Sequence, residues 1–152
     1  VHISAKSDYA VRALLVLAAD TTGGPVKGEF IATSQGMPVK FVENILVDLK
    51  KSGLVVSQRG AAGGFRLGRP AAEITVADVV RAVDGPLAAI RSASPEATEY
   101  EGPAAGLQQV WIATRASLRS VLEVVTLADI VDDDLPASVI ELASPPDAWV
   151  RR

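Results

Sequence analysis

The chain runs to 152 residues, with 15 Lys+Arg, 18 Asp+Glu and a formal charge of −3. Its length suits one domain, or one domain with an appendage, and 49% apolar against 22% charged residues excludes disorder as a description of the whole. With no cysteine and His2 as the single histidine, disulfides, thiolate-held zinc, an ordinary iron–sulphur cluster and an interior Ser/His/Asp triad are excluded together.

Val1-His2-Ile3-Ser4 shows neither the basic start nor the apolar stretch of a signal peptide, and no apolar run approaches the ~20 residues of a membrane span. A cytoplasmic protein without membrane contact is the expectation. Ser4 is placed to cap a helix over Ala5–Ala19, in which Ala10, Leu14, Leu17 and Ala18 draw one apolar stripe. Asp20-Thr21-Thr22-Gly23-Gly24-Pro25 breaks it. Val26 begins a short extended piece, Gly28 to Ser34 reads as a short helix ending at Gly36, and Pro38 takes a first-turn position in the next helix. That helix carries Phe41, Val42, Ile45, Leu46 and Leu49 on one face, with Lys40, Glu43, Asn44, Lys50 and Lys51 on the others and Gly53 to end it. A short helix, a glycine turn and an amphipathic helix form the helix-turn-helix pattern, although many helical proteins contain such a pair.

The next residues are more specific. Leu54-Val55-Val56-Ser57 and Phe65-Arg66-Leu67 are β-prone, and Gln58-Arg59-Gly60-Ala61-Ala62-Gly63-Gly64 joins them as a Gly-rich hairpin loop. A wing bearing Arg59, Arg66 and Arg69 directly after the second helix suits a winged helix on DNA. A phosphate-cradling loop is disfavoured, because such loops lead from strand into helix and supply Lys-Ser/Thr. Charge follows the same division. Residues 1–70 hold 9 Lys+Arg and 5 Asp+Glu, a net +4, whereas residues 71–152 hold 6 and 13, a net −7.

In the acidic half, Thr75 and Asp78 form a capping-box pattern before Val76, Val79, Val80 and Val83, and Gly85-Pro86 stops that helix. Residues 91–106 lack periodicity and read as a long loop. A long helix is expected from about Ala104 to Val125, with Leu107, Trp111, Thr114, Leu118, Val121 and Val125 in a heptad-like seam. That seam suits either the core of the same chain or a partner. Thr126 and Asp129 repeat the capping-box pattern for a short helix, and Asp132-Asp133-Asp134 reads as a solvated helix end rather than a metal site.

Three stretches in order resemble the Rrf2 family of bacterial transcription factors. Ile3-Ser4-Ala5-Lys6-Ser7-Asp8-Tyr9-Ala10-Val11-Arg12-Ala13-Leu14 is similar to its opening. Arg59 to Leu67 is similar to its wing, and Glu73 to Pro86 to the helix that follows. The resemblance runs from about Ile3 to Val131 and implies a homodimer that offers one winged helix to each half of a near-palindromic operator. Carried over by position, it implies that Tyr9 with Lys6 or Arg12 touches phosphates. Val39, Lys40, Glu43 and Asn44 would face the major groove, with Arg59 and Arg66 in the wing. Asn44 carries the donor–acceptor pair that grips adenine, while Val39 would only meet a thymine methyl.

The resemblance also favours dimerisation through the long helix, by Leu107, Trp111, Leu118, Val121 and Val125. Sensing members hold a cluster with three cysteines, at positions that fall near Ala93, Glu99 and Ala105, and Gln108 stands where some relatives place a histidine ligand. None of these is a thiolate, so neither cofactor nor metal is expected. A small-molecule or protein effector would meet the chain around Arg91, Tyr100, Trp111 and Arg115, unless the protein acts constitutively.

The sequence thus points to a mainly α fold with a small β-wing. The winged helix-turn-helix occupies 1–70, a connecting helix, loop and dimerisation helix occupy 71–131, and 132–152 form a mobile tail. The function expected is a DNA-binding transcriptional repressor acting on double-stranded DNA as a homodimer. The alternative is a winged-helix protein-interaction module that has lost DNA binding. An enzyme is disfavoured, since no paired carboxylates stand on a recognisable site.

Overall fold

The computed structural model describes residues 1–151. Helix α1 (Ala5–Ala19) starts where the Ser4 hydroxyl accepts the Ser7 N–H at 2.9 Å, and it buries Ser7, Ala10, Ala13, Leu14 and Leu17. Helices α2 (Gly28–Ser34) and α3 (Val39–Lys51) follow, α3 burying Val42, Ile45, Leu46 and Leu49. Pro38 is the extended N-cap of α3 rather than its first residue. The physical reason is the same one residue earlier, since a cap position makes no use of an amide hydrogen either. Gly53, at φ +79°, turns the chain out of α3 in the left-handed conformation that only glycine adopts at little cost.

Strands β1 (Val55–Gln58) and β2 (Gly64–Leu67) pair antiparallel, with Val55 opposite Leu67 and Gln58 opposite Gly64. Val26 adds a bridge to Phe65, with both N–H···O distances at 2.8 Å, so the wing is anchored on the segment before α2. Helix α4 (Val76–Asp84) opens with the full capping box, Thr75 and Asp78 each accepting the other's amide. The stretch 91–106 is not featureless: it contains 3-10 turns at Pro95–Ala97 and Gly102–Ala104.

Helix α5 (Leu107–Leu122) is shorter at both ends than the periodicity predicts. Gly102-Pro103 holds a separate 3-10 turn before it. At the far end the chain leaves the helix so that the Val125 carbonyl can accept the Val76 N–H at 2.9 Å and the Leu127 N–H can reach the Ile74 carbonyl at 2.9 Å. Val125 is consequently only 5% exposed, in the interior of its own chain, and does not belong to the expected seam. Helix α6 (Leu127–Val131) has the second capping box, Thr126 with Asp129. The tail, expected to be mobile, forms α7 (Ala137–Ala143) and a last 3-10 turn at Pro146–Trp149, whose Trp149 indole donates to the Ala143 carbonyl at 2.6 Å.

One core collects Leu14, Ile31, Ile45, Leu46, Leu49, Ile74, Val79 and Leu127. Its members come from both charge halves. The division at residue 70 separates charge but not packing: α4 and α6 complete the core of the winged helix, and the parts left outside are the 91–106 stretch, α5 and the tail.

Candidate nucleic-acid interface

The apolar stripe of α3 seals against α1 and leaves Lys40, Glu43, Asn44 and Val47 exposed. Positions 40, 44 and 47 lie four and three residues apart, so they form one outward row. Val47, 51% exposed in that row, was not singled out from the sequence; its signal was an apolar residue standing off the apolar face. Val39 is half-buried against the core, which limits what it offers to a base. Glu43 and Lys40 do not pair, and among the described residues neither has a side-chain partner, nor has Asn44.

The wing tip requires glycine for a steric reason. A Cβ at Gly63 would lie 2.1 Å from the Gln58 carbonyl oxygen, so the loop can close, Gly63 N–H to Gly60 carbonyl at 2.9 Å, only without a side chain there. Lys27 crosses from the start of α2 and donates to the Ala61 carbonyl at 2.6 Å, fixing the wing tip to the helix-turn-helix and adding a cation beside it. This contact joins residues far apart in sequence, and no local pattern announces it. Arg59 is exposed with no partner among the described residues, whereas Arg66 donates to the Gln58 side-chain carbonyl at 3.1 Å.

The cations expected on α1 are employed inside the protein. The Lys6 ammonium meets Asp48 of α3 at 2.8 Å and the Val83 carbonyl at 3.1 Å. The hydrogen bond from Lys6, with its charge, holds the Asp48 carboxyl below the ordinary range. Lys6 is therefore a clamp between α1, α3 and α4, not a free phosphate contact. Arg12 reaches the Gln35 carbonyl at the end of α2, its side-chain oxygen at 3.3 Å and Asp8 at 3.3 Å. It satisfies a helix C-terminus that would otherwise lack partners. Its guanidinium also lies 5.5 Å from the centre of the Tyr9 ring, and that ring meets Phe41 of α3 edge-on at 5.5 Å. Lys40, Glu43, Asn44 and Arg59 are the predicted polar DNA contacts left without a side-chain partner among the described residues, and Glu43 is the one anion among them.

The family model described as Rrf2, iron-dependent transcriptional regulator, matches residues 3–133. The chain belongs to the Rrf2 family. It is 47% identical over 142 residues to a Mycobacterium tuberculosis protein provisionally named an HTH-type transcriptional regulator, covering 93% of this chain and 88% of that one. It is 32% identical over 151 residues to the HTH-type transcriptional regulator IscR of Yersinia enterocolitica, covering 99% and 90%. Among solved structures it is similar to CymR, the global cysteine regulator of B. subtilis, with TM-score 0.74, 32% identity and coverage of 88% of this chain and 98% of that one. T. potens IscR matches with TM-score 0.70, 32% identity and 88% of each chain. This Rrf2 protein is a DNA-binding transcriptional regulator, and its relatives are regulators rather than enzymes. No helix among the described residues is long and apolar enough to cross a membrane.

The residues where sensing relatives carry cysteines do not fit an iron–sulphur cluster in this Rrf2 protein. Ala93 and Ala105 have no donor, Glu99 is exposed, and the sequence holds no cysteine. The stretch is organised by hydrogen bonds instead. The Gln108 amide donates to the Thr98 carbonyl at 2.6 Å and the Glu96 carbonyl at 3.3 Å, and the buried Thr98 hydroxyl donates to the Pro95 carbonyl at 2.7 Å. Of the residues expected around an effector, Tyr100 and Trp111 meet at 3.2 Å, and Arg115 pairs with Glu96 at 2.5 Å. Arg91 does not join them; it is exposed at the tip of the tight Ile90–Ala93 turn, with φ +51°. Leu107, Trp111, Leu118 and Val121 are half-buried, so their own chain already covers part of the expected seam. Val110, Ile112 and Val124 are the large apolar side chains left exposed along and just beyond α5.

Proposed function

We propose that this regulator binds a near-palindromic operator as a homodimer and represses transcription there, with no cluster as its switch. The observation that carries the reading is the partner-free set of Lys40, Asn44 and Arg59 beside exposed Val47, on the helix and wing that the fold presents outward. Helix α3 enters the major groove by its first turns. There the Asn44 amide reads an adenine, Val47 packs on a thymine methyl, and Arg59 reaches toward the neighbouring minor groove. Two copies joined along α5 would cover Val110 and Ile112 and set two α3 helices on one face of the duplex. Such a protein works where the chromosome is, in the cytoplasm, on double-stranded DNA.

Fluorescence anisotropy with a fragment of the protein's own promoter tests this. Two chains per duplex are expected, with affinity falling steeply as salt rises. Lys40→Ala with Arg59→Ala lowers affinity on the order of 10- to 1,000-fold, at about 1–3 kcal/mol for a base contact and less for a phosphate contact, while dimerisation persists. Salt-independent binding, or one chain per duplex, overturns the reading. In transcription from the same fragment, added protein lowers the yield of transcript; a rise would make it an activator.

A further inference from the structure

Between the end of α4, the 86–94 stretch and the middle of α5 lies a pocket of about 110 Å³, and three arginines line it: Arg81 from α4 and Arg115 and Arg119 from α5. Arg115 and Arg119 are four residues apart and share one helix face. The neighbouring carboxylates number fewer than the guanidinium groups. Glu123 serves both Arg81 and Arg119, the latter at 3.5 Å, and Glu96 serves Arg115 at 2.5 Å. The cluster therefore keeps one positive charge in excess, and each guanidinium has five N–H donors, most of them unused by these pairs. Ser92 and Ser94 also line the pocket, and among the described residues their hydroxyls have no partner.

The geometry points to a binding site for a small oxyanion, that is sulfate, phosphate or a compact carboxylate. A volume of that size is enough to seat a small oxyanion against the three guanidinium groups. Forked N–H donors match paired anionic oxygens. The site also has a mechanical position. Arg81 belongs to α4, which packs on α1 and α3, whereas Arg115 and Arg119 belong to α5. An anion held by all three ties the angle of α5 to the winged helix. That consequence for operator spacing rests on the dimer reading above; the binding does not.

The test uses the full chain without DNA, so its failure is separate from failure of the operator reading. Thermal melts and titration calorimetry are run at constant ionic strength in sodium chloride, replacing chloride by sulfate, inorganic phosphate or malonate. A saturable rise in Tm with at least one of the three is expected, and the arm that binds tightest identifies the source chemistry. Arg119→Gln, at an exposed side chain whose loss leaves the fold intact by circular dichroism, weakens binding at least tenfold. Arg59→Ala, which removes a cation from the DNA-facing wing, leaves it unchanged. Absence of a saturable effect from all three anions overturns the proposal. So does binding that survives Arg119→Gln, or binding abolished by Arg59→Ala.

Discussion

Helices α1 and α5 are nearly equal in length, 15 and 16 residues, yet α1 buries five side chains and α5, among the described residues, buries none. The difference separates two modes of stability. α1 is covered by α2, α3, α4 and α6, and its polar residues face inward partners: Ser7 and Ser4 donate to Asp84, and Lys6 to Asp48. α5 is held by its own chain through Gln108, Trp111 and Arg115 to the stretch before it, and by a smaller contact with α4 where Arg81 meets Glu123. An isolated helix of this length is marginal in water, so α5 draws its stability from what covers it. That arrangement puts α3 and the wing on the well-packed body and leaves α5 as the less covered element.

The contrast breaks first if the body is not the well-packed part. Leu46 is fully buried in α3, and Leu46→Ala should cost about 2–5 kcal/mol of unfolding free energy and abolish DNA binding, as read by urea titration. A loss under about 1 kcal/mol would mean that α3 does not depend on this core. The corresponding change on α5 is Val110→Asp, at a side chain 53% exposed. It should leave the urea midpoint of the body in place and weaken self-association by about 2 kcal/mol or more, the scale of a central interface residue, in sedimentation velocity. An unchanged mass distribution would show that this face of α5 is not what a second copy covers.

The same contrast explains what could be read in the sequence. Elements whose partners lie close in the chain were legible: the Ser4 cap, both Thr-x-x-Asp capping boxes, the hairpin around its glycines and the apolar face of α3 all follow from spacings of two to four residues. Contacts between distant segments were not. Lys6 is a phosphate candidate by type and becomes a clamp only because Asp48 and Val83 fold against it; Arg12 likewise is employed by Gln35. Val125 continues a heptad in sequence, but the backbone hydrogen bond that its carbonyl accepts from Val76, with the neighbouring one from Leu127 to Ile74, holds it in the core. Lys27 on the wing has no local pattern at all, and of the three-arginine pocket only the i,i+4 spacing of Arg115 and Arg119 is local, Arg81 joining from α4. Of the candidate site, Lys40, Glu43, Asn44 and Arg59 stay where the sequence leaves them, exposed and unclaimed by any distant residue among those described.

A smaller effect compares the two capping boxes. Thr75 opens α4, and the 2.9 Å bond from Val76 to Val125 lies beside it; Thr126 opens the much shorter α6. Thr75→Ala should lower stability by about 1 kcal/mol, the typical worth of such a cap, in the same urea titration. If Thr126→Ala costs as much, then α6 belongs to the cooperative unit of the body despite its five residues.

The finest distinction is in acid. Burial pushes the Asp84 carboxyl up, but hydrogen bonds from Ser4 and Ser7 and the charges of Lys6 and His2 outweigh it and hold the group below the ordinary range. Glu96 is also held low, by its own backbone N–H and by Arg115, at the junction of α5 with the stretch before it. A carboxyl depressed on folding contributes stability that is complete above its unfolded value, about 4, and is lost as pH falls through the lower folded value. Asp84→Asn should therefore lower the Tm of the body at pH 7, and its difference from the wild type should close below about pH 4. Glu96→Gln should leave that Tm nearly unmoved and instead change the emission of Trp111, read in a Trp149→Phe background, with the same loss of difference in acid. If both substitutions moved the single global Tm equally at pH 7, α5 and the body would melt as one unit, and the contrast between the two helices would be one of burial without a difference in cooperativity.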